Sequence, residues 1–164
     1  MAAAIAITAI AVAFFRPTRQ CLVLRGEDGA RIAVYPAQDG CVFSVSFRHS
    51  VNQSEVSDVY TVESGQIFLT GGTMKAFGAG VDTMPGEGER FRYGADGTIH
   101  IEGRHTPMAQ LTYVVGTVYD HYLHIGGKNI NLTALCGKDA PVRFSIEKTR
   151  AAYSDFAASE EGYD

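Results

Sequence analysis

The chain has no tryptophan, only three cysteines, and fewer basic than acidic residues among its 164. Each scarcity removes a class of explanation. Lys and Arg total 14 against 18 Asp and Glu, a formal charge of −4, and the basic residues gather into no stripe. Non-specific nucleic-acid binding depends on clustered cations, so no phosphate-backbone partner is expected. Cys21, Cys41 and Cys136 are odd in number and have no CxxC spacing, which suggests neither a zinc site nor a disulfide framework. Buried free thiols are expected, with one bridge left open outside the cytoplasm. No spacing in the chain asks for a metal or a cofactor. Helix signals are also scarce. Thr133-Ala134-Leu135 opens at most one turn, and Lys148 to Phe156 a weak helix ahead of the polar end SEEGYD. Residues 148–164 read as a polar tail, because they offer too little apolar surface to offset the entropy of ordering them.

Charge is missing altogether from Ala2 to Phe15, where Thr8 is the one polar side chain before Arg16-Pro17. At a rise of about 1.5 Å per residue such a run spans about 21 Å, short of a bilayer core about 30 Å thick. That length suits a signal-peptide core or a short anchor, so residues 1–20 are read as one or the other. No Lys or Arg precedes the run, Arg16 and Arg19 follow it, and no small-x-small site closes it. The positive-inside rule alone would therefore put the domain in the cytoplasm. Export is the reading adopted: a periplasmic or extracytoplasmic domain whose membrane contact runs through this segment. A lipoprotein role for Cys21 fails, because polar Thr-Arg-Gln precedes it where small apolar residues are needed.

What the rest of the chain has in abundance is alternation punctuated by glycine turns. Cys21 to Leu24 and Arg31 to Tyr35 flank Glu27-Asp28-Gly29, a strong hairpin signal. After Asp39-Gly40, Phe43, Val45 and Phe47 alternate with Ser44, Ser46 and Arg48, giving one buried and one wet face with His49 in the buried phase. Val56 to Glu63 and Gln66 to Thr70 flank Ser64-Gly65. Phe91 to Tyr93 and Thr98 to Glu102 flank Asp96-Gly97, and Tyr122 to Ile125 and Asn129 to Leu132 flank Gly126-Gly127. Gln110 to Val118 is apolar on both phases, as a central strand would be. Val142, Phe144 and Ile146 alternate in a last strand. The expectation is one all-β domain over residues 21–147, an antiparallel sandwich or barrel of about ten short strands.

Two stretches break this regularity and carry the candidate chemistry. The first is His49-Ser50-Val51-Asn52, followed by Glu55 and Asp58. It offers a base, a hydroxyl and carboxylates, but His49 and Ser50 are strand neighbours that point to opposite faces, and a nucleophile needs its base within about 3 Å. Two further roles stay open: ligand binding, and a structural histidine bonded to Asp58 across the hairpin while Asn52 shapes the turn. The second is Phe77-Gly78-Ala79-Gly80 and the acidic loop after it, with Asp82, Glu87 and Glu89. Alternate glycines let backbone N–H groups form a concavity or let another chain approach closely. The residues required by a phosphate loop or a calcium loop are absent. Of the other histidines, His121 and His124 fall on opposite faces of one strand, His100 shares a face with Glu102, and His105 sits in a turn before Thr106-Pro107. None is expected to be a ligand.

Taken together, the CLVLR strand, FRHSVNQSEVSDVY, FGAGVDTMPGEGE and YLHIGGKNINL resemble the domain-of-unknown-function family 1850 from about Cys21 to Glu147. Its most specific parts here are His49-Ser50-Val51 and Phe77 to Gly80. Two positions depart from the family's tendency: Glu55 stands where it tends to carry Pro, and Asp58 where it tends to carry Glu. The resemblance implies a small exported protein encoded beside the fused permease of a TAXI-type TRAP transporter. The expected function is a non-enzymatic accessory or binding module that contacts that permease or its solute-binding protein. Its expected contact residues are His49, Ser50, Asn52, Asp58, Phe77, Gly78, Gly80 and Glu87. Two rivals are an exported hydrolase or metal-dependent enzyme using His49 and Asp58, and a small-ligand carrier with an apolar cavity lined by Phe43, Phe47 and Tyr60.

Overall fold

The computed structural model describes residues 18–50, 53–75 and 84–150, and among them it holds twelve strands and one short helix. Strands β1 (Arg19–Arg25) and β2 (Arg31–Pro36) form the first hairpin. Its turn is the expected one: Asp28 Oδ1 accepts the Ala30 N–H at 2.8 Å and Gly29 takes a φ of 78°. Strands β3 (Val42–Arg48), β4 (Glu55–Glu63) and β5 (Gln66–Met74) follow as a meander. Ser64 and Gly65 reverse the chain between β4 and β5 with φ values of 49° and 74°. Asp39 Oδ1 accepts from Gly65 N at 3.1 Å and from Gln20 Nε2 at 2.8 Å, so one carboxylate ties this turn to β1.

Next come β6 (Arg90–Tyr93), β7 (Ile99–Glu102), the two-residue β8 (Thr106–Pro107) and β9 (Leu111–Val115). The chain closes with β10 (His121–Ile125), β11 (Lys128–Asn131), helix α1 (Leu132–Cys136) and β12 (Ala140–Thr149). Asn131 caps α1 by accepting the Ala134 N–H at 2.9 Å.

All pairings are antiparallel and fall into two sheets. The smaller has the order β2-β1-β12-β9, and the larger β11-β10-β3-β4-β5-β7-β6 with β8 beside β5. Their apolar faces meet. Leu22 and Leu24 of β1 and Phe144 of β12 bury against Phe43, Tyr60 and Leu123 of the larger sheet. Phe43 stacks on Tyr60 at 5.1 Å between ring centres and lies parallel to Phe144 at 6.4 Å. Each such side chain contributes about 1.5–3 kcal/mol by leaving water. Of the two expected architectures, the structure is therefore the sandwich.

Four local expectations need correction. The both-phase apolar segment at Gln110–Val118 is not a central strand: β9 spans Leu111–Val115 at the edge of the smaller sheet, with Thr112 and Val114 exposed. Thr106-Pro107 is not a turn but pairs with Leu69 and Phe68 as β8. Lys148 and Thr149 end β12 rather than begin a helix, since both pair with β1. Finally, Phe43 and Tyr60, expected to line an apolar cavity, are 1% and 2% exposed and in stacking contact, so they fill the core instead.

The β4–β5 ladder shifts register between Val59 and Tyr60. There Gly71 and Gly72 are required by close backbone approach. A Cβ on Gly71 would lie 2.7 Å from the Ile101 carbonyl oxygen, and one on Gly72 2.8 Å from that of Ser57.

Candidate functional site

Cross-strand register converts the sequence candidates into positions. His121, Phe47, Val56, Met74, Ile99 and Tyr93 form one row across six strands of the larger sheet. Just beyond it lie the His49–Gln53 turn, Lys75 and the Gly94–Gly97 turn. At this end the chain leaves β3 and β5, from which the two irregular stretches depart, whereas the Gly88–Glu89 end of the acidic stretch enters β6 at Arg90, opposite Glu102 and beside Gly103 and Arg104, away from the row.

The next row inward is Leu123, Val45, Asp58, Gly72, Ile101 and Phe91, in which Asp58 is the one charged residue. Asp58 shares its phase of β4 with Val56, Tyr60 and Val62, so its carboxylate points between the sheets. Tyr113 of β9 meets it there. The Tyr113 hydroxyl donates to Asp58 Oδ2 at 2.6 Å, and the Tyr60 hydroxyl lies 2.6 Å from that of Tyr113. Because Tyr113 has one proton and gives it to the carboxylate, Tyr60 is the donor in the second bond. Burial pushes the Asp58 carboxyl above its ordinary range, opposed by the Tyr113 bond and by the charge of Arg104. Burial and the Asp58 charge raise both phenols, so they stay protonated at neutral pH.

Aromatic rings wall this network on the β10 side. Phe47 stacks on His121 at 4.8 Å, and each meets the Tyr113 ring edge-on, at 6.3 and 6.1 Å respectively. His121 is buried, and burial lowers its pKa, so the ring is neutral. Its Nδ1 lies 3.3 Å from the Gly116 N–H and 3.2 Å from the Tyr119 carbonyl, and the tautomer decides which bond is made. On the other side, Arg104 holds Glu89 through two bonds of 2.6 and 3.1 Å, which keeps the Glu89 carboxyl below the usual range.

The candidate residues fare unequally. The His49 N–H donates to the Ser54 carbonyl at 2.8 Å, and the Gln53 N–H to that of His49 at 2.9 Å. Arg48 closes the turn by donating from Nε to the Gln53 carbonyl at 3.0 Å, with its guanidinium 5.6 Å from the centre of the Tyr119 ring. Ser50 and Glu87 are exposed. Asn52, Phe77, Gly78 and Gly80, with Asp82, lie outside the described residues. The expected His49–Asp58 bond is not made. Asp58 is opposite Val45, four residues before His49, an offset of about 13 Å along the strand. An active site joining His49 to Asp58 loses its geometry for the same reason.

His121 and His124 do face opposite ways: His124 Nε2 lies 2.8 Å from Ser46 Oγ on the outer face. Among the described residues, no group of three or more His, Cys, Asp or Glu is placed to hold a metal ion. Sequence reasoning missed Tyr113 and Arg104 and placed Glu89 only among the carboxylates of the acidic loop. The available signal was Asp58 itself, a carboxylate in the apolar phase of β4, which demands a partner from elsewhere in the chain.

The chain is matched over residues 43–132 by the model of a domain of unknown function, DUF1850, and it belongs to that family. The matched span supplies nearly all of the larger sheet, together with β9 and its Tyr113, while β1, β2 and β12 lie outside it. No curated protein and no solved structure matches the chain.

Proposed function

We propose that this protein is a non-enzymatic, extracytoplasmic accessory module of a TAXI-type TRAP solute-uptake system. It binds the permease or its solute-binding protein, and the apolar segment Ala2–Phe15 keeps it at the membrane. The observation that carries this reading is that β3 and β5, the strands from which the two irregular segments depart, end on the same side of the larger sheet, at the His121–Phe47–Val56–Met74–Ile99–Tyr93 row. Partner-recognising residues are characteristically loops held by a rigid scaffold. Here the scaffold is a packed sandwich whose Asp58 carboxylate is already engaged by Tyr113, while Ser50 and Gln53 of the turn are exposed.

The test is affinity capture of the full-length chain from membranes solubilised in mild detergent. Wild type is expected to retain a TRAP-type permease or solute-binding protein. Ser50→Arg, at an exposed turn position, is expected to lose it while far-UV circular dichroism stays unchanged. Retention of neither protein by wild type, or equal capture by both forms, contradicts the reading.

A further inference from the structure

An antiparallel sheet that packs one face on a core ordinarily leaves its other face to water. The smaller sheet departs from this over half of its outer face. Leu22, Leu24, Ala33, Tyr35 and Phe144 take the core phase, so Cys21, Val23 and Val34 point outward. They are nevertheless 1%, 0% and 3% exposed, and they form a second apolar cluster separate from the core. On the same face Val114, on the edge strand β9, is 50% exposed. Val34 also lies on an edge strand, β2, so strand position does not account for the difference. The Arg25–Glu147 pair shelters Val23 from the β12 side, but Val34 lies on the opposite side of β1. The described residues add no other hydrophobic side chain to this cluster. Another part of this chain therefore covers it.

We propose that the C-terminal segment, residues 151–164, lies across the Cys21–Val23–Val34 patch on the outer face of the smaller sheet. β12 ends at Thr149, which pairs with Arg19, two residues from Cys21. Thr149 is outward and buried as well, so the chain emerges at the border of the patch. Fourteen residues can reach about 46 Å, whereas three strands are only about 10 Å across. Charge selects this segment over the other end of the chain. The strand positions of the outer face carry Arg19, Arg25, Arg31 and Arg143 against Glu147 alone. The segment AAYSDFAASEEGYD has four acidic residues and no Lys or Arg, with Tyr153 and Phe156 as its large apolar groups. Residues 1–17 leave the same corner, but they contain no acid and would add Arg16 to the four arginines. By itself the segment has too little apolar surface to order. The preformed patch supplies that surface, and the covalent tether holds the segment beside it at high effective concentration.

Thiol labelling of the full-length chain in mild detergent, read cysteine by cysteine by mass spectrometry, tests this. Phe156→Asp should speed the labelling of Cys21 by about ten-fold or more while Cys41 keeps its wild-type rate, because access to the thiol is what limits the reaction. An unchanged Cys21 rate overturns the proposal. If both thiols speed up together the domain itself has loosened, and a benzophenone photo-probe at position 156 of the otherwise wild-type chain gives the answer. Crosslinks from it to residues 19–36 of the same chain are expected. Crosslinks only between chains, none to the smaller sheet, or crosslinks to residues 19–36 from a probe at Phe14 instead would overturn the assignment.

Discussion

The Tyr113 hydroxyl donates a 2.6 Å hydrogen bond to Asp58 Oδ2 and thereby joins the smaller sheet to the larger. Tyr113→Phe removes the donor and leaves a largely buried carboxylate without it. Hydrogen bonds to charged groups contribute about 1.5–3 kcal/mol, so urea titration should give the variant an unfolding free energy lower by that amount. The comparison with Tyr60→Phe is informative. Tyr60 does not touch the carboxylate and should cost only about 0.5–1.5 kcal/mol, the range for neutral partners.

Asp58 also predicts an unusual pH dependence. Its folded-state pKa is raised, so between the unfolded and folded values the native state holds the proton that the unfolded state has lost. Stability from this group is full below the unfolded pKa and falls as pH rises through the folded one. Asp58→Asn keeps an acceptor for Tyr113 without the charge. Urea titrations should show it more stable than wild type at pH 7, with the advantage shrinking as the pH falls toward 4. An advantage that grows in acid would contradict this assignment.

Glu89 behaves in the opposite sense. Arg104 holds its pKa down, so its contribution is present above the unfolded value and is lost as pH falls through the folded one. The pair is well shielded, with side chains 20% and 13% exposed for Arg104 and Glu89. Glu89→Gln should cost about 1–3 kcal/mol at pH 7 and progressively less in acid. Arg104→Ala should do the same, and limited proteolysis between residues 75 and 89 should become faster in both.

The glycine pair on β5 makes a steric prediction. Gly72→Ala places a methyl group 2.8 Å from the Ser57 carbonyl oxygen, which is backbone and cannot swing away. A loss of about 1–3 kcal/mol follows, the usual cost of overpacking. Gly40→Ala is a useful contrast, because a Cβ there meets nothing within 4 Å and its cost comes from a φ of 86° alone.

Local structure was far more legible in the sequence than tertiary contacts. The hairpins at Asp28-Gly29, Ser64-Gly65, Asp96-Gly97 and Gly126-Gly127 all form, because a turn's conformational demand is met by the residues within it. Period-two patterning also placed His121 and His124 on opposite faces. Sheet order was not legible. β9 reads as a central strand because its inner phase is buried and its outer phase is apolar, although that outer phase faces solvent at an edge. The Tyr113–Asp58 bond spans 55 residues, and only the packing of one sheet on the other brings the two together. The His49–Asp58 pairing looked reasonable from ten residues of sequence but required a register that the Val45–Asp58 pairing forbids.

The central claim is that the end of the larger sheet carrying the His49–Gln53 turn recognises a component of a TRAP-type uptake system. Site-specific photo-crosslinking in intact cells tests it most directly, with the probe at Ser50 and a control probe at Lys128, beside the turn at the opposite end of that sheet. The account predicts a crosslink from position 50 to a TRAP permease or its solute-binding protein, and none from position 128. Crosslinking to neither protein from position 50, or equal yields from both positions, would contradict it.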